Sequence, residues 1–143
     1  MTVEDGGAPL PRVLTDTAAL LASGTESSGA LWRLAESGRQ LDANVVRVPP
    51  GGRVGTHAEP DLDVLLLVLA GAASLTGADG EHALRPGVLT WLPHGSTRAL
   101  EAGPDGVAYL TVHRRRPGMR IGPPDAAARL VPGGGEGGGD RDG

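Results

Sequence analysis

The stretch GGRVGTHAEPDLDVLLLVLAG, residues 51–71, places one histidine and three carboxylates directly before a run of seven apolar residues, Val64 to Ala70. Residues 64–69 are apolar at both alternating positions, so a strand formed here needs cover on both of its faces. The run is far shorter than the ~20 residues that a membrane helix requires. This stretch therefore predicts a strand that is central in a sheet or lies at a dimer interface, with polar groups at its leading end.

The rest of the region 30–116 has the pattern of an all-β domain, because short apolar segments alternate with turn signals. Pro-Gly, Asp-Gly and Gly-Gly pairs separate the segments, and these residues favour the dihedral angles of tight turns. No segment has a helical period, and no internal repeat is present. The predicted strands lie in ALWRLA, LDANVVRV, DVLLLVL, ASLT, HAL, VLTWL, TRAL and VAYLTVH.

The two ends of the chain differ from this middle region. Residues 1–29 are predicted to form an arm with a short helix in LTDTAALLASG, which Thr15 or Asp16 would cap and Gly24 would end. Residues 117–143 form a tail rich in proline and glycine, which we expect to be disordered because it has too little apolar surface to offset its ordering entropy.

Composition excludes several classes of function. The chain has no cysteine and no lysine, since all 13 basic residues are arginine, so thiol nucleophiles, Cys-ligated zinc and Schiff-base lysines are ruled out. The net charge of −4 argues against a nucleic-acid partner. The acidic N-terminus lacks the features of a secretory signal, and no segment suits a membrane span. We expect a cytoplasmic protein.

Two glycine- and histidine-containing motifs resemble those of the cupin superfamily. In the first, Gly51 is followed after five residues by His57, then by Glu59 and Val64, and six further residues lead to Gly71. In the second, Gly87 is followed after five residues by PHGSTR, which runs from Pro93 to Arg98, and then by Ala102. The motifs occur in order with a 15-residue spacer. The resemblance implies a double-stranded β-helix, the jelly-roll barrel, over residues 30–116.

The resemblance also implies a metal site, but the ligand positions have changed. Metal-binding cupins use three histidines and one glutamate, and here only His57 keeps its residue type. Glu59 replaces the second histidine, Val64 replaces the glutamate, and Arg98 replaces the last histidine. A guanidinium has no lone pair to donate and repels a cation. We therefore expect no cofactor; a divalent transition metal, if one bound, would use His57, Glu59 and Asp63.

Arg98 suggests a different kind of site, in which its charge takes the place of the metal ion. The carboxylates of Glu59 and Asp63 would need a positive partner if they face the barrel interior, and arginine suits a carboxylate well. His57 shares one face of an extended chain with Glu59, and is either a binding or basic group or an ordinary hydrogen-bonded residue at a strand edge.

The remaining aromatic and histidine residues complete the predicted site. Trp91 and Tyr109 are either packing residues or groups that shape a ligand pocket. His94 is interpreted as a turn residue and His82 as an exposed hairpin end, while His113, at the end of the last strand, either is exposed to solvent or lines the barrel mouth.

Three functions follow from these observations. The first is a metal-free barrel that binds a small anionic or hydroxylated molecule through His57, Glu59, Arg98, Asp63, Trp91 and Tyr109. The second is an enzyme, either a metal-dependent oxygenase or isomerase or a metal-free epimerase with His57 as its base; the sequence leans against an enzyme. The third is a structural or regulatory protein. A homodimer is expected because a small sandwich with a strand apolar on both faces often pairs with a second copy.

Overall fold

The computed structural model describes residues 9–23 and 27–116. Within these residues the chain forms one helix and seven strands. The elements are α1 (Thr17–Ser23), β1 (Gly29–Arg33), β2 (Leu41–Val48), β3 (Arg53–Ala58), β4 (Val64–Gly77), β5 (Gly80–Leu84), β6 (Leu89–Leu92) and β7 (Thr97–Arg114). The predicted tail at 117–143 lies outside the described residues. No helix among the described residues is long and apolar enough to cross a membrane.

Helix α1 begins where the sequence predicted, and Asp16 is its N-cap. The Asp16 carboxylate accepts hydrogen bonds from the backbone N–H groups of Ala18 and Ala19, at 3.0 and 3.3 Å. These two donors have no partner within the helix itself, so a capping side chain stabilises its first turn. The helix lies against β2, because Arg47 donates from Nη2 to the Leu21 carbonyl at 2.8 Å. The predicted stop at Gly24 lies outside the described residues.

Two long strands organise the fold. Strand β4 has 14 residues and β7 has 18, and they pair antiparallel along most of their length. The turn signals in the sequence predicted two separate strands in each of these segments, and that prediction is wrong. The glycines taken as turn signals instead bend a continuous strand: the register shifts between Val68 and Ala73, and both Gly71 and Gly106 have φ near +77° (76° and 78°).

The bend turns one sheet into two facing halves. The first half has β1, β2, the C-terminal part of β7, the N-terminal part of β4, and β6; the second has β3, the other parts of β7 and β4, and β5. Side chains from both halves meet in one aliphatic core, with Val46, Leu66 and Val68 from the first half and Leu75 and Leu100 from the second. The prediction of an all-β jelly-roll barrel is confirmed.

Strand β3 was not predicted, because RVGTHA has no apolar alternation. It forms because β7 supplies an unpaired edge, with Val54 opposite Leu100 and His57 opposite Arg98. The register shifts by one residue between these two pairs, which marks a β-bulge. The bulge brings His57 and Arg98 together as neighbours on adjacent strands.

Candidate ligand-binding site

A cavity lies between the two halves of the barrel. Its volume is about 80 Å³, which is room for a few water molecules or a small ligand. Most of its wall is made of valine and leucine side chains from both halves. The polar lining residues are Asn44, His57, Arg98, Tyr109, Thr111 and His113. The cavity is thus an apolar chamber with a small set of polar groups, as in most small-molecule sites.

Arg98 is the permanently charged group of this cavity. Its side chain is buried, with 6% of its surface exposed. Nη1 donates to the Ser96 carbonyl at 3.2 Å and to the Ser96 hydroxyl at 3.1 Å. Among the described residues, no hydrogen bond is formed by its Nε or Nη2. Burial lowers the pKa of the Arg98 guanidinium, and the Glu59 carboxylate opposes that shift; arginine nevertheless stays charged at neutral pH.

Two further polar side chains in the cavity are buried, Asn44 and Tyr109. Within residues 9–23 and 27–116, neither the Asn44 amide nor the Tyr109 hydroxyl makes a hydrogen bond. Burial raises the pKa of the Tyr109 hydroxyl, which therefore keeps its proton and can donate it. Asn44 stands opposite Thr111 in the β2–β7 ladder. Buried polar groups are nearly always hydrogen-bonded, so these groups point to water or a ligand in the cavity.

Two histidines complete the polar lining. His57 is held by a contact of 2.8 Å between its Nδ1 and the Gly55 carbonyl, and His113 by one of 2.7 Å between its Nδ1 and the Arg114 carbonyl. A carbonyl accepts only, so Nδ1 carries the proton in both rings. Of the two alternatives predicted for His113, solvent exposure or the barrel mouth, the structure agrees with the second, because His113 is among the lining residues. Strand parity carries the signal for it: His113 shares a face of β7 with Thr111 and Tyr109.

Glu59 is buried, but its direct ion pair is with Arg116 rather than Arg98. The distance from Arg116 Nη2 to Glu59 Oε1 is 2.6 Å, and Glu59 Oε2 accepts the backbone N–H of Asp61 at 3.0 Å. Among the described carboxylates, none forms an ion pair with Arg98. The expectation that Glu59 and Arg98 pair directly is therefore corrected, because residues 114–116 reach the 59–63 loop from the end of β7. Arg114 also donates to the Asp61 carbonyl, at 3.2 Å.

Asp63 and Trp91 do not line the cavity. Asp63 is exposed, and its Oδ1 accepts the backbone N–H of His94 at 2.9 Å and contacts His94 Nδ1 at 2.7 Å. Trp91 is 57% exposed, because the alternation along β6 turns Leu92 inward and Trp91 outward. Both were predicted as site residues, and neither is among the residues that line the cavity. Asn44 and Thr111 line the cavity although the sequence pattern did not select them, and His113 lines it as one of its two predicted alternatives.

The donor set does not fit the metal ion that the resemblance implies. Of the cavity's polar groups only the two histidines are good ligands, while Arg98 brings a positive charge to the same space. Nowhere in the described part of the chain do three or more His, Asp or Glu side chains come together as a metal site. Glu59 and Asp63, the other predicted ligands, are engaged with Arg116 and His94.

Several solved structures are similar to this barrel. A sugar phosphate isomerase of the cupin superfamily from Silicibacter pomeroyi is similar with a TM-score of 0.50 and 26% identity, over 55% of this chain and 53% of that one. A cupin-2 domain protein from Shewanella frigidimarina gives 0.51 and 20%, over 63% and 81%. KdgF from a Halomonas species gives 0.52 and 23%, over 59% and 77%.

The described chain thus spans about half the length of the isomerase. No family model matches the chain, and no curated protein matches it. The structural similarities rest on a bent antiparallel barrel like the one described above, and the sequence motifs of residues 51–71 and 87–102 lie within it. The chain therefore has the cupin fold.

Proposed function

We propose that this barrel binds a small anionic or hydroxylated molecule without a metal ion, and that Arg98 is the anchor. The observation that carries the proposal is the buried guanidinium of Arg98, which faces the cavity and uses only Nη1 in hydrogen bonds to described residues. A buried charge is costly unless it is paired. An anion in the cavity supplies that pairing, while Asn44 and Tyr109 offer further hydrogen bonds.

The experiment is a titration of the full chain with acetate and with inorganic phosphate, followed in NMR spectra through the backbone N–H signals of the cavity-lining residues Tyr109 and Thr111. We expect saturable shifts for at least one anion and their loss in Arg98→Met. Arg85→Met, which changes an exposed arginine, is the matched control and should bind as the unaltered chain does. Absence of saturation with both anions, or binding that survives in Arg98→Met, overturns the proposal.

An enzyme is the second candidate, and one observation favours it. His57 lies beside Arg98 in the β3–β7 ladder and lines the same cavity, which is a suitable place for a general base next to an anion-binding group. The sugar phosphate isomerase of similar fold makes isomerisation or epimerisation the reaction class to assay first. A His57→Gln variant that binds anions normally but loses turnover of a sugar phosphate would establish it. No turnover by the unaltered chain leaves binding as the function.

We further propose that the barrel works as a homodimer, through the outer face of its first half. Two rows of apolar residues cross that face in register. Leu110, Leu67 and Leu89 form one row, which Val45, already buried within the single chain, continues; Ala43, Val112, Leu65 and Trp91 form the other. Leu65, Leu89 and Trp91 are exposed in the single chain.

A second copy is the occupant that this surface fits. Both rows are free of charge and lie on one regular sheet, so the same surface on two copies is self-complementary under twofold symmetry. Contiguous exposed apolar surface of this kind marks interaction sites. The dimer covers both faces of β4, which the sequence of residues 64–69 requires.

Sedimentation tests the dimer. Trp91→Glu should shift the chain from dimer to monomer at micromolar concentration. Thr76→Glu is the control, because Thr76 is an exposed residue of the same β4 strand in the other half of the barrel. A monomeric unaltered chain, or an unaltered dimer in Trp91→Glu, contradicts the proposal.

A further inference from the structure

The free edge of the Arg98 guanidinium restricts which anion fits. Nε and Nη2 are adjacent donors on one edge of a planar group, and they match the two oxygens of a carboxylate. Nη1 is already held by Ser96, at 3.1 and 3.2 Å, so the guanidinium is fixed in orientation before a ligand arrives. Such fixed donors favour an anion that presents two oxygen atoms side by side, as a carboxylate does.

The charges around the cavity favour a single negative charge. Arg98 is the one permanently charged side chain that lines it in the described part of the chain. Glu59 lies near enough to act electrostatically on Arg98, and it is itself buried. A dianion such as a phosphate monoester would meet one positive charge and the field of that carboxylate. A monoanion is neutralised by Arg98 alone.

The rest of the wall favours a hydrocarbon body. Val46, Val54, Leu66, Leu75 and Leu100 present only aliphatic groups to the cavity. A polyhydroxylated molecule would lose its water contacts there without replacement, at a cost for every hydroxyl. Besides Arg98, the described lining offers Asn44, Tyr109, Thr111 and the two histidines as polar contacts, which can satisfy only a few ligand oxygen atoms.

We infer that the ligand of this site is a short-chain monocarboxylic acid, with its carboxylate on Arg98, its hydrocarbon body among the valines and leucines, and at most one or two further oxygen atoms on Asn44 and Tyr109. This inference rests on the proposed function, since it names the class of molecule that the Arg98 site takes. The cavity volume of about 80 Å³ suits a hydrocarbon body of a few carbon atoms.

The test is a chain-length series of acetate, butyrate and hexanoate, measured by NMR titration of the full chain, with hexan-1-ol, inorganic phosphate and glucose 6-phosphate as comparators. Each buried methylene should raise affinity roughly fourfold, so butyrate should bind about 15-fold more tightly than acetate. Hexan-1-ol lacks the charge and both phosphates lack the hydrocarbon body, so each should bind at least about tenfold more weakly than hexanoate.

Two variants separate charge from geometry. Arg98→Met should remove the preference for hexanoate over hexan-1-ol. Arg98→Lys keeps the charge but loses the paired donors, and should weaken hexanoate about tenfold while leaving acetate and phosphate nearly equal. Arg85→Lys is the matched control and should change nothing. If Arg98→Met fails to fold, Arg98→Lys and the ligand series still decide the question.

The outcomes distinguish the inference from the function on which it rests. Affinity that is independent of chain length, or glucose 6-phosphate binding more tightly than hexanoate through Arg98, overturns the monocarboxylate and leaves the anion site standing. If no anion binds saturably, both the monocarboxylate inference and the proposed anion-binding function are wrong.

Discussion

The two ends of the barrel differ in how tightly they are packed and in whether their polar groups are hydrogen-bonded. At the bend, β4 and β7 cross so closely that a Cβ on Gly71 would lie 2.1 Å from the Gly106 carbonyl oxygen. At the other end, where β3 runs into the 59–63 loop, the cavity holds Arg98 with donors unused by the described residues. At the bend, backbone atoms pack so tightly that no side chain fits at Gly71. At the mouth, the cavity leaves room for a ligand, and Arg98 has hydrogen-bond donors that no described residue uses. Close packing dominates the first end and the buried charge of Arg98 the second, so Gly71→Ala and Arg98→Met should change stability in opposite directions.

The strongest test of the bend is Gly71→Ala. We expect it to lower the free energy of unfolding by about 3 kcal/mol or more, because the added methyl group overlaps backbone atoms at a positive φ. Urea denaturation measures it. Gly38→Ala is the matched control, since Gly38 has φ of 75° but open space around its Cβ position; it should cost only about 1–2 kcal/mol. Equal losses at both glycines would contradict the close approach.

The matching test of the mouth is Arg98→Met without ligand. Removing a buried charge with unused donors should raise the free energy of unfolding by about 1–2 kcal/mol, in the way that replacing buried charges by apolar residues often stabilises. Chemical denaturation in a buffer free of small anions measures it. Arg85→Met should stay within about 0.5 kcal/mol of the unaltered chain. A clearly destabilised Arg98→Met would show that the arginine is a structural group, and the contrast between the two ends would fail.

Glu59 joins the mouth to the end of β7, and Glu59→Gln tests that link. The amide keeps an oxygen for the Asp61 N–H but loses the charge that pairs with Arg116 at 2.6 Å. We expect a loss of about 1 kcal/mol in unfolding free energy. The exposed Glu101→Gln is the control. A double-mutant cycle with Arg116→Met should show positive coupling, and additive effects would place Arg116 elsewhere in solution.

Asp63→Asn should have the smallest effect, and its pH dependence identifies it. Hydrogen bonds from the backbone and side chain of His94 hold the pKa of Asp63 below its ordinary value of 3.8. The carboxylate therefore stabilises the fold above that pH, and the contribution is lost as pH falls through the lowered pKa. Thermal melting at pH 7 should show a small fall in Tm for Asp63→Asn that disappears in strong acid. A difference between the two chains that grows on acidification contradicts this assignment.

Particular residues show which features of the fold could be predicted from the sequence. The spacing from Gly51 to Gly71 and from Gly87 to Ala102 predicted the fold class, because those glycines occupy turns and the bend, and local geometry depends on local residues. Asp16 was recognisable as an N-cap for the same reason. Strand β3 was missed because its pairing energy comes from β7, about 40 residues later in the chain.

The site was partly predictable. Arg98 and His57 were named from motif position and Tyr109 as a lone aromatic residue of the last strand, and all three lie on the cavity wall. Asn44 and Thr111 were missed because their role depends on pairing between β2 and β7. Trp91 was misplaced because a strand's alternation fixes which residues share a face but not which face is inward.

The sequence by itself predicted an aliphatic all-β domain with glycines at its turns, and its resemblance to the cupins implied the jelly-roll barrel. These features follow from residue types and short spacings. Only the tertiary structure decided that Arg116 pairs with Glu59, that Trp91 faces outward, and that Arg98, Asn44 and Tyr109 converge on one cavity. Each of these depends on strand register and on the bend at Gly71 and Gly106, which bring together residues far apart in the chain, and such pairings are set by the summed packing of the whole barrel.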